Sequence, residues 1–423
     1  MITCPYCFAR VAARRIAFRC MGRQARGGGC EPELDERLAG YLGTTAGASL
    51  PPVFTVWRPG RRAECPRCGR PTGWRVCPEC HNRLPAEYCA NPGKIVALVG
   101  AKGSGKSTYI AVLLHELTHR VGAELDASLV ACDDRTIARY KQDFARPLYG
   151  QSRLLSATQS AATEPRDPLV YLLTRTIRGR LRTTTASLTL VLFDTAGEDL
   201  RSREMSELHL RYLEAADAIV FLVDPLELAG AAPSLTDAAR ARAAMNRSGP
   251  GTAAHHGSPG QPGSPGADRG DLLDRDLGGD PDSDPINVIS RVTERLRANR
   301  RGRKIGVPVA VALSKIDALQ PSLERQSPLH RARTPNGMLD LDDREAVHEQ
   351  VRALLEEWQA GMIDRYLSQN YTDYAFFALS ALGGMPDGGR VGPGGIRPYR
   401  VEDPLLWLLY RFGMLRGTRG AGR

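Results

Sequence analysis

The sequence predicts an α/β fold with a mostly parallel sheet, preceded by a small region held together by metal. Three observations carry this prediction. From Gly93 onward, apolar runs suited to buried strands alternate with helix-like stretches. One of these runs, Lys94 to Val99, leads straight into the glycine-rich loop Gly100-Ala101-Lys102-Gly103-Ser104-Gly105-Lys106-Ser107. Nine of the ten cysteines come before Pro92, and Cys-Pro-x-Cys occurs there three times.

The elements follow in order. Lys94–Val99 reads as a buried strand and Ser107–Val121 as the helix after it. Leu169–Ile177 and Ser187–Phe193 read as two strands around Arg178-Gly179-Arg180, a connection short enough for an antiparallel hairpin. Arg203–Ala215 reads as a helix, and Ala218–Val223, Val307–Leu313 and Ala375–Leu379 as central strands. Ile286–Asn299, Glu345–Leu367 and Asp403–Leu415 read as helices; the leucines and Trp407 of the last belong to a core. Residues 1–92 form a cysteine-rich region and residues 93–423 an α/β domain. That domain is interrupted at about 229–284 by a Gly-, Pro- and Ser-rich stretch that reads as a disordered surface insertion.

The loop at Gly100–Ser107 has the spacing of a phosphate-binding loop, Gly-x4-Gly-Lys-Ser, placed between a strand and a helix. Its backbone N–H groups, from Gly100 to Thr108, would cradle phosphates. Lys106 would reach the β- and γ-phosphates, and the Ser107 hydroxyl would bind Mg²⁺. The run ending Phe193-Asp194-Thr195-Ala196-Gly197-Glu198 places a carboxylate at a strand end, where Asp194 would hold the Mg²⁺ shell and the Gly197 N–H would sense the γ-phosphate. Ser314-Lys315-Ile316-Asp317 follows another strand. The Asp317 carboxylate would accept from guanine's ring N–H and exocyclic amine, groups adenine lacks, and the Lys315 stem would pack over the base. Ser380-Ala381-Leu382 would offer a backbone N–H to the base oxygen.

In their order, these motifs resemble translation-factor-like and Ras-like (TRAFAC) GTPases over about Gly93 to Gly422. More narrowly, with the cysteine-rich front end, the chain resembles the bacterial double-GTPase group. The resemblance implies a three-layer P-loop fold, GTP/GDP and Mg²⁺ as ligands, a second GTPase as partner and a regulatory role. It calls for a switch threonine on Mg²⁺, for which Thr158 is the candidate and Thr163 the next. Glu198 stands where relatives carry a water-orienting glutamine. It serves either as a catalytic group with slow turnover or as an acid at a helix start. Lys102 stands where they carry glycine, either as a cation for the transition state or facing solvent. Ser314 replaces their asparagine with a shorter side chain, which lowers the expected guanine affinity. A P-loop ATPase and a zinc-ribbon adaptor that binds nucleotide without turnover are the alternatives.

In the front end, Cys65, Cys68, Cys77 and Cys80 read by their spacing as one Cys4 zinc site. Cys4 and Cys7, completed by Cys20 and Cys30, read as a second. Both would be structural. Cys89 and Cys132 read as plain apolar residues, and His81 as a histidine in solvent. The formal charge of +10 is mostly arginine. The 14 arginines against 7 acids before Pro92 lose much of their excess once thiolates and zinc ions are counted, so nucleic acid is a weak expectation as a partner. No membrane-spanning run and no signal segment stand out, which places the expected location in the cytoplasm.

Overall fold

The computed structural model describes residues 1–22, 29–85, 88–89, 93–155, 168–178, 183–193, 207–237, 239–241, 284–298, 303–333 and 336–420. A seven-stranded sheet runs through its centre. In chain order its strands are β1 (Lys94–Gly100), β2 (Ala127–Ala131), β3 (Leu169–Arg178), β4 (Thr183–Phe193), β5 (Ala218–Val223), β6 (Val309–Leu313) and β7 (Tyr374–Ala378). Across the sheet the order is β2-β3-β4-β1-β5-β6-β7. Strands β4, β1, β5, β6 and β7 are parallel, whereas β2 and β3 are antiparallel to their neighbours. The chain therefore leaves β1 in one direction and returns past it in the other. A crevice for ligands forms at such a reversal, outside the carboxyl ends of the strands.

The two-residue side-chain period of each strand sorts the core into two faces. Ile95, Ala97 and Val99 of β1 point to one face with Ile219, Phe221, Val309 and Val311. Helices α3 (Glu207–Ala215), α4 (Pro285–Ala298) and α5 (Leu341–Glu357) cover this face through Tyr212, Val288, Val292, Val347 and Val351. Val96, Leu98, Val220, Leu222 and Ala310 point to the other, beneath α1 (Lys106–Glu116) and α7 (Asp403–Arg411). Leu405, Leu406, Trp407, Leu408 and Leu409 are all buried there.

Several sequence expectations are corrected. Edge strand β2 and the helix α2 (Asp134–Arg139) are not expected from the sequence; the burial of β2 alternates and it offers only five residues. Strand β4 starts at Thr183 rather than Ser187, since three β-branched threonines extend it. The helix expected over Glu345–Leu367 is two, α5 and α6 (Met362–Asn370). They part where Gln359 takes a φ of 58° just before Gly361. The expected insertion does not begin at Ala229. Ala229–Ser234 forms a tight helical turn, and Ala231, Leu235 and Ala239 are buried in the core.

The front end packs on the α/β domain rather than standing apart. Ile2, Tyr6, Phe8 and Val11 share a continuous core with Ile95 and Tyr212. The Phe8 ring lies 5.2 Å from that of Tyr212. The Tyr212 hydroxyl donates to Val96 O (2.8 Å) and accepts from Leu98 N (3.2 Å), fastening α3 to the strand that feeds the glycine loop.

Candidate nucleotide site and cysteine clusters

The glycine loop closes the carboxyl end of β1. Gly100 admits no side chain: a Cβ there would stand 2.6 Å from Leu222 O and 2.5 Å from Ser104 Oγ. Gly103 and Gly105 take φ values of 79° and 91°, which glycine alone adopts freely. Helix α1 then starts at Lys106 with no side-chain cap on its first N–H groups. Positive partial charge is thus presented to the loop. Lys106 is buried and folds back over the loop, donating to Gly100 O (2.9 Å) and Ala101 O (2.8 Å). Lys102 and Gly103 form the exposed crest, and Ser107 and Thr108 are half-buried behind it. The buried Ser104 hydroxyl makes no hydrogen bond. A curled backbone, an uncapped helix start and a buried lysine fit a phosphate chain.

Strand β4 runs to Phe193, opposite Ala97 of β1, and so ends beside the strand that carries the loop. Asp194, Gly197 and Glu198 follow it and lie outside the described residues, as do Thr158 and Thr163.

The loops that follow β6 and β7 come together. After β6, Ser314 stays tied to β5: its N–H (2.8 Å) and hydroxyl (3.3 Å) both donate to Val223 O. Asp317 accepts from the Ser380 hydroxyl at 2.5 Å, and that hydroxyl in turn accepts from Gly383 N at 2.8 Å. Lys315 has a φ of 53°. Such a left-handed backbone costs a non-glycine residue about 1 kcal/mol or more. Its ammonium forms an ion pair with Asp224, which is 2% exposed. Asp224 also accepts from Leu226 N at 3.0 Å. Sequence reasoning missed Asp224. The available signal was its place, directly after the continuous apolar strand β5 and level with the motif that follows β6.

The eight front-end cysteines form two clusters, and their grouping corrects the expected one. Cys4, Cys7, Cys77 and Cys80 form one, and Cys20, Cys30, Cys65 and Cys68 the other, each with all ligand atoms within 4.8 Å. The cause is strand pairing. Ala17–Phe18 runs antiparallel to Arg75–Val76, which sends Cys20 and Cys77 to opposite ends of the ribbon. Each cluster therefore takes ligands from both ends of the front-end sequence. The three Cys-x-x-Cys turns share one geometry: Phe8, Gly69 and His81, each just past the second cysteine, have φ of 57°, 68° and 52°. Their N–H groups donate to the carbonyls of Cys4, Cys65 and Cys77 at 2.8–3.0 Å.

Both clusters fit zinc. Zn–S bonds of about 2.3 Å in a tetrahedron set S···S edges of about 3.8 Å. Cys4–Cys80 and Cys7–Cys77 are 3.8 Å apart, Cys30–Cys65 3.8 Å and Cys20–Cys68 3.6 Å. Burial pushes the Cys4 thiol well up, while the hydrogen bond with Cys4 pulls Cys7 and Cys77 down. Tyr6 N, Gly22 N and Glu79 N donate to Cys4, Cys20 and Cys77 sulfurs at 3.4–3.5 Å. His81 is neither a ligand nor free in solvent: its Nδ1 lies 2.8 Å from Asp35. Asp35 also accepts from the buried Arg19 (2.5 Å) and from Leu38 N. Burial raises the Asp35 carboxyl, and Arg19, the Leu38 N–H and His81 together outweigh it and hold the group below its ordinary value.

A mostly parallel sheet with this strand order and the glycine loop after β1 define a P-loop GTPase fold. The Double-GTPase 2 family model matches residues 94–382, and the chain belongs to that family. A protein of Mycolicibacterium smegmatis proposed as an ESX-1 scaffolding and assembly protein, SaeC, is 27% identical over 442 residues, covering 98% of this chain and 100% of the relative. Solved structures it is similar to include the signal recognition particle receptor SRb-GTP/SRX complex of Chaetomium thermophilum, at 10% identity and a TM-score of 0.27, with 71% of this chain and 95% of that one covered. Another is the GTP-bound Ski7 GTPase-like domain of S. cerevisiae, at 14% identity and a TM-score of 0.28, with 75% and 50% covered. Among the described residues no helix is long and apolar enough to cross a membrane.

Proposed function

We propose that the chain is a GTP-hydrolysing molecular switch whose front end carries two structural zinc ions and docks a protein partner. The observation that carries this reading is the Asp317–Ser380 link, with Lys315 held by Asp224 close by in sequence, at the same carboxyl end of the parallel strands as the glycine loop. Gly100 to Thr108 bind the phosphates, with Lys106 on the β- and γ-phosphates. Ser107, Asp194 and Thr158 complete the Mg²⁺ shell, and Gly197 reports the γ-phosphate. Lys315 and Asp317 grip the base, with the Ser380 and Ala381 backbone behind it. Glu198 in place of a neutral water-orienting group meets like charge near the γ-phosphate, so intrinsic turnover is slow. Lys102, on the exposed crest of the loop, adds positive charge beside the phosphates.

Support for a partner comes from the family name and from the M. smegmatis relative, whose description is of scaffolding and assembly. A second GTPase is the partner of choice. The eight front-end thiols are free of disulfides, as suits a reducing cytoplasm.

The test is nucleotide competition on the purified full chain. Bound GDP is displaced by GTP but not ATP, Lys106→Ala abolishes binding, and Asp317→Asn moves preference from guanine to xanthine nucleotides. If ATP competes as well as GTP, or Asp317→Asn leaves the preference unchanged, the guanine reading falls.

A further inference from the structure

A non-glycine residue held in a left-handed backbone needs something to hold it there. Lys315 is such a residue, with a φ of 53°. Its neighbour Ser314 is short and uses its hydroxyl on Val223 O, so it reaches no further than the adjacent strand end. Among the described residues, the hold on the Lys315 side chain is the ion pair with Asp224, one of the most deeply buried carboxylates described. Asp224 is itself fixed: it follows β5 directly, and its second role is to accept from Leu226 N. Strands β5 and β6 are parallel neighbours paired up to Val223 and Leu313, so their ends present the two charged groups side by side. The Lys315 side chain is 28% exposed, and its partner's 2%. Anchor and anchored are thereby distinguished: the carboxylate belongs to the end of β5, and the lysine reaches back to it.

We propose that Asp224 is the positioning residue of the base pocket, holding the Lys315 stem across the plane where guanine binds and so setting how long guanine nucleotides stay bound. Asp224 touches no nucleotide. Its effect reaches GDP and GTP alike, because the base and not the γ-phosphate is what Lys315 covers. It leaves the choice of guanine over xanthine to Asp317. This inference rests on the guanine reading of the same corner.

The experiment measures release of a fluorescent GDP, and separately of a fluorescent non-hydrolysable GTP analogue, from the full chain carrying Asp224→Asn, Asp224→Glu, Lys315→Met or Asp224→Asn with Lys315→Met. Asparagine retains an oxygen for Leu226 N, so the turn persists, and a thermal melt within a few degrees of the parent confirms the fold. Asp224→Asn is expected to speed release of both nucleotides about tenfold, or 1.4 kcal/mol, with the guanine-over-xanthine ratio unchanged. Asp224→Glu restores most of the lost residence time, and the double variant releases no faster than Lys315→Met alone. Unchanged release in a folded Asp224→Asn protein overturns the proposal, as does additivity in the double variant or a change confined to one nucleotide. A parent protein that fails to prefer GTP over ATP overturns the guanine reading instead, before any variant is compared.

Discussion

The cluster of Cys4, Cys7, Cys77 and Cys80 is buried at all four positions, whereas Cys30 and Cys68 of the other cluster are half-exposed. The ligand set is the same and the sulfur spacing differs by only 0.2 Å; the surroundings differ. The inner cluster is wired into the nucleotide domain. Asn82 donates to Cys80 Sγ (3.2 Å) and accepts from Arg135 of α2 (2.6 Å). Arg135 also lies 5.2 Å from the Tyr6 ring, and the Tyr6 hydroxyl donates to Asp133, the cap of that helix. The outer cluster neighbours the exposed Arg67–Glu33 pair instead. One cluster is thus part of a shared core, and the other lies outside it. Identical coordination chemistry contributes differently depending on what its knuckles touch.

The largest effect that would break this comparison comes from the ligands. Cys77→Ser should lower stability by at least about 4 kcal/mol, as expected for a lost structural metal, and carry nucleotide binding down with it. Cys68→Ser should leave one zinc per chain and spare nucleotide affinity. Equal loss of nucleotide binding in both variants would erase the distinction. Next comes the joint between the clusters, where Asp35 pairs with Arg19 near the outer site and His81 at the inner one. Asp35→Asn leaves the 1%-exposed Arg19 guanidinium short of its counter-charge and should cost about 3 kcal/mol in a urea titration. Arg135→Ala, which cuts the tie between the inner cluster and α2, should cost about 1–2 kcal/mol with both zinc ions retained. The smallest effect belongs to Trp57, which is 92% exposed: Trp57→Ser should move the unfolding midpoint by less than about 0.5 kcal/mol.

The same contrast explains what was legible in the sequence. Short-range chemistry was. Gly100 to Ser107 needs its glycines for a local backbone shape, and the continuous apolar runs at β1, β5, β6 and β7 need only burial on both faces. Asp317 and Ser380 could be placed by their order behind those strands. What depends on long-range pairing was not legible. The spacing of Cys65–Cys68 and Cys77–Cys80 favoured one shared site, but a two-residue ladder with Ala17–Phe18 decides the matter. Strand β2 gained its place from pairing with β3 and, at five residues, is too short to announce itself. Asp224 becomes a site residue only once two strands lie side by side, which no local spacing encodes.

The crossed wiring of the cysteines also has a bearing on synthesis. Cys7 cannot meet Cys77 until 70 further residues have been made, and at about 5–20 residues per second that is roughly 4–14 s of waiting with reactive thiols unpaired. Tyr212, against which Phe8 packs, emerges later still. The beginning of the newborn chain therefore waits for about half of the sequence before it finds its final place.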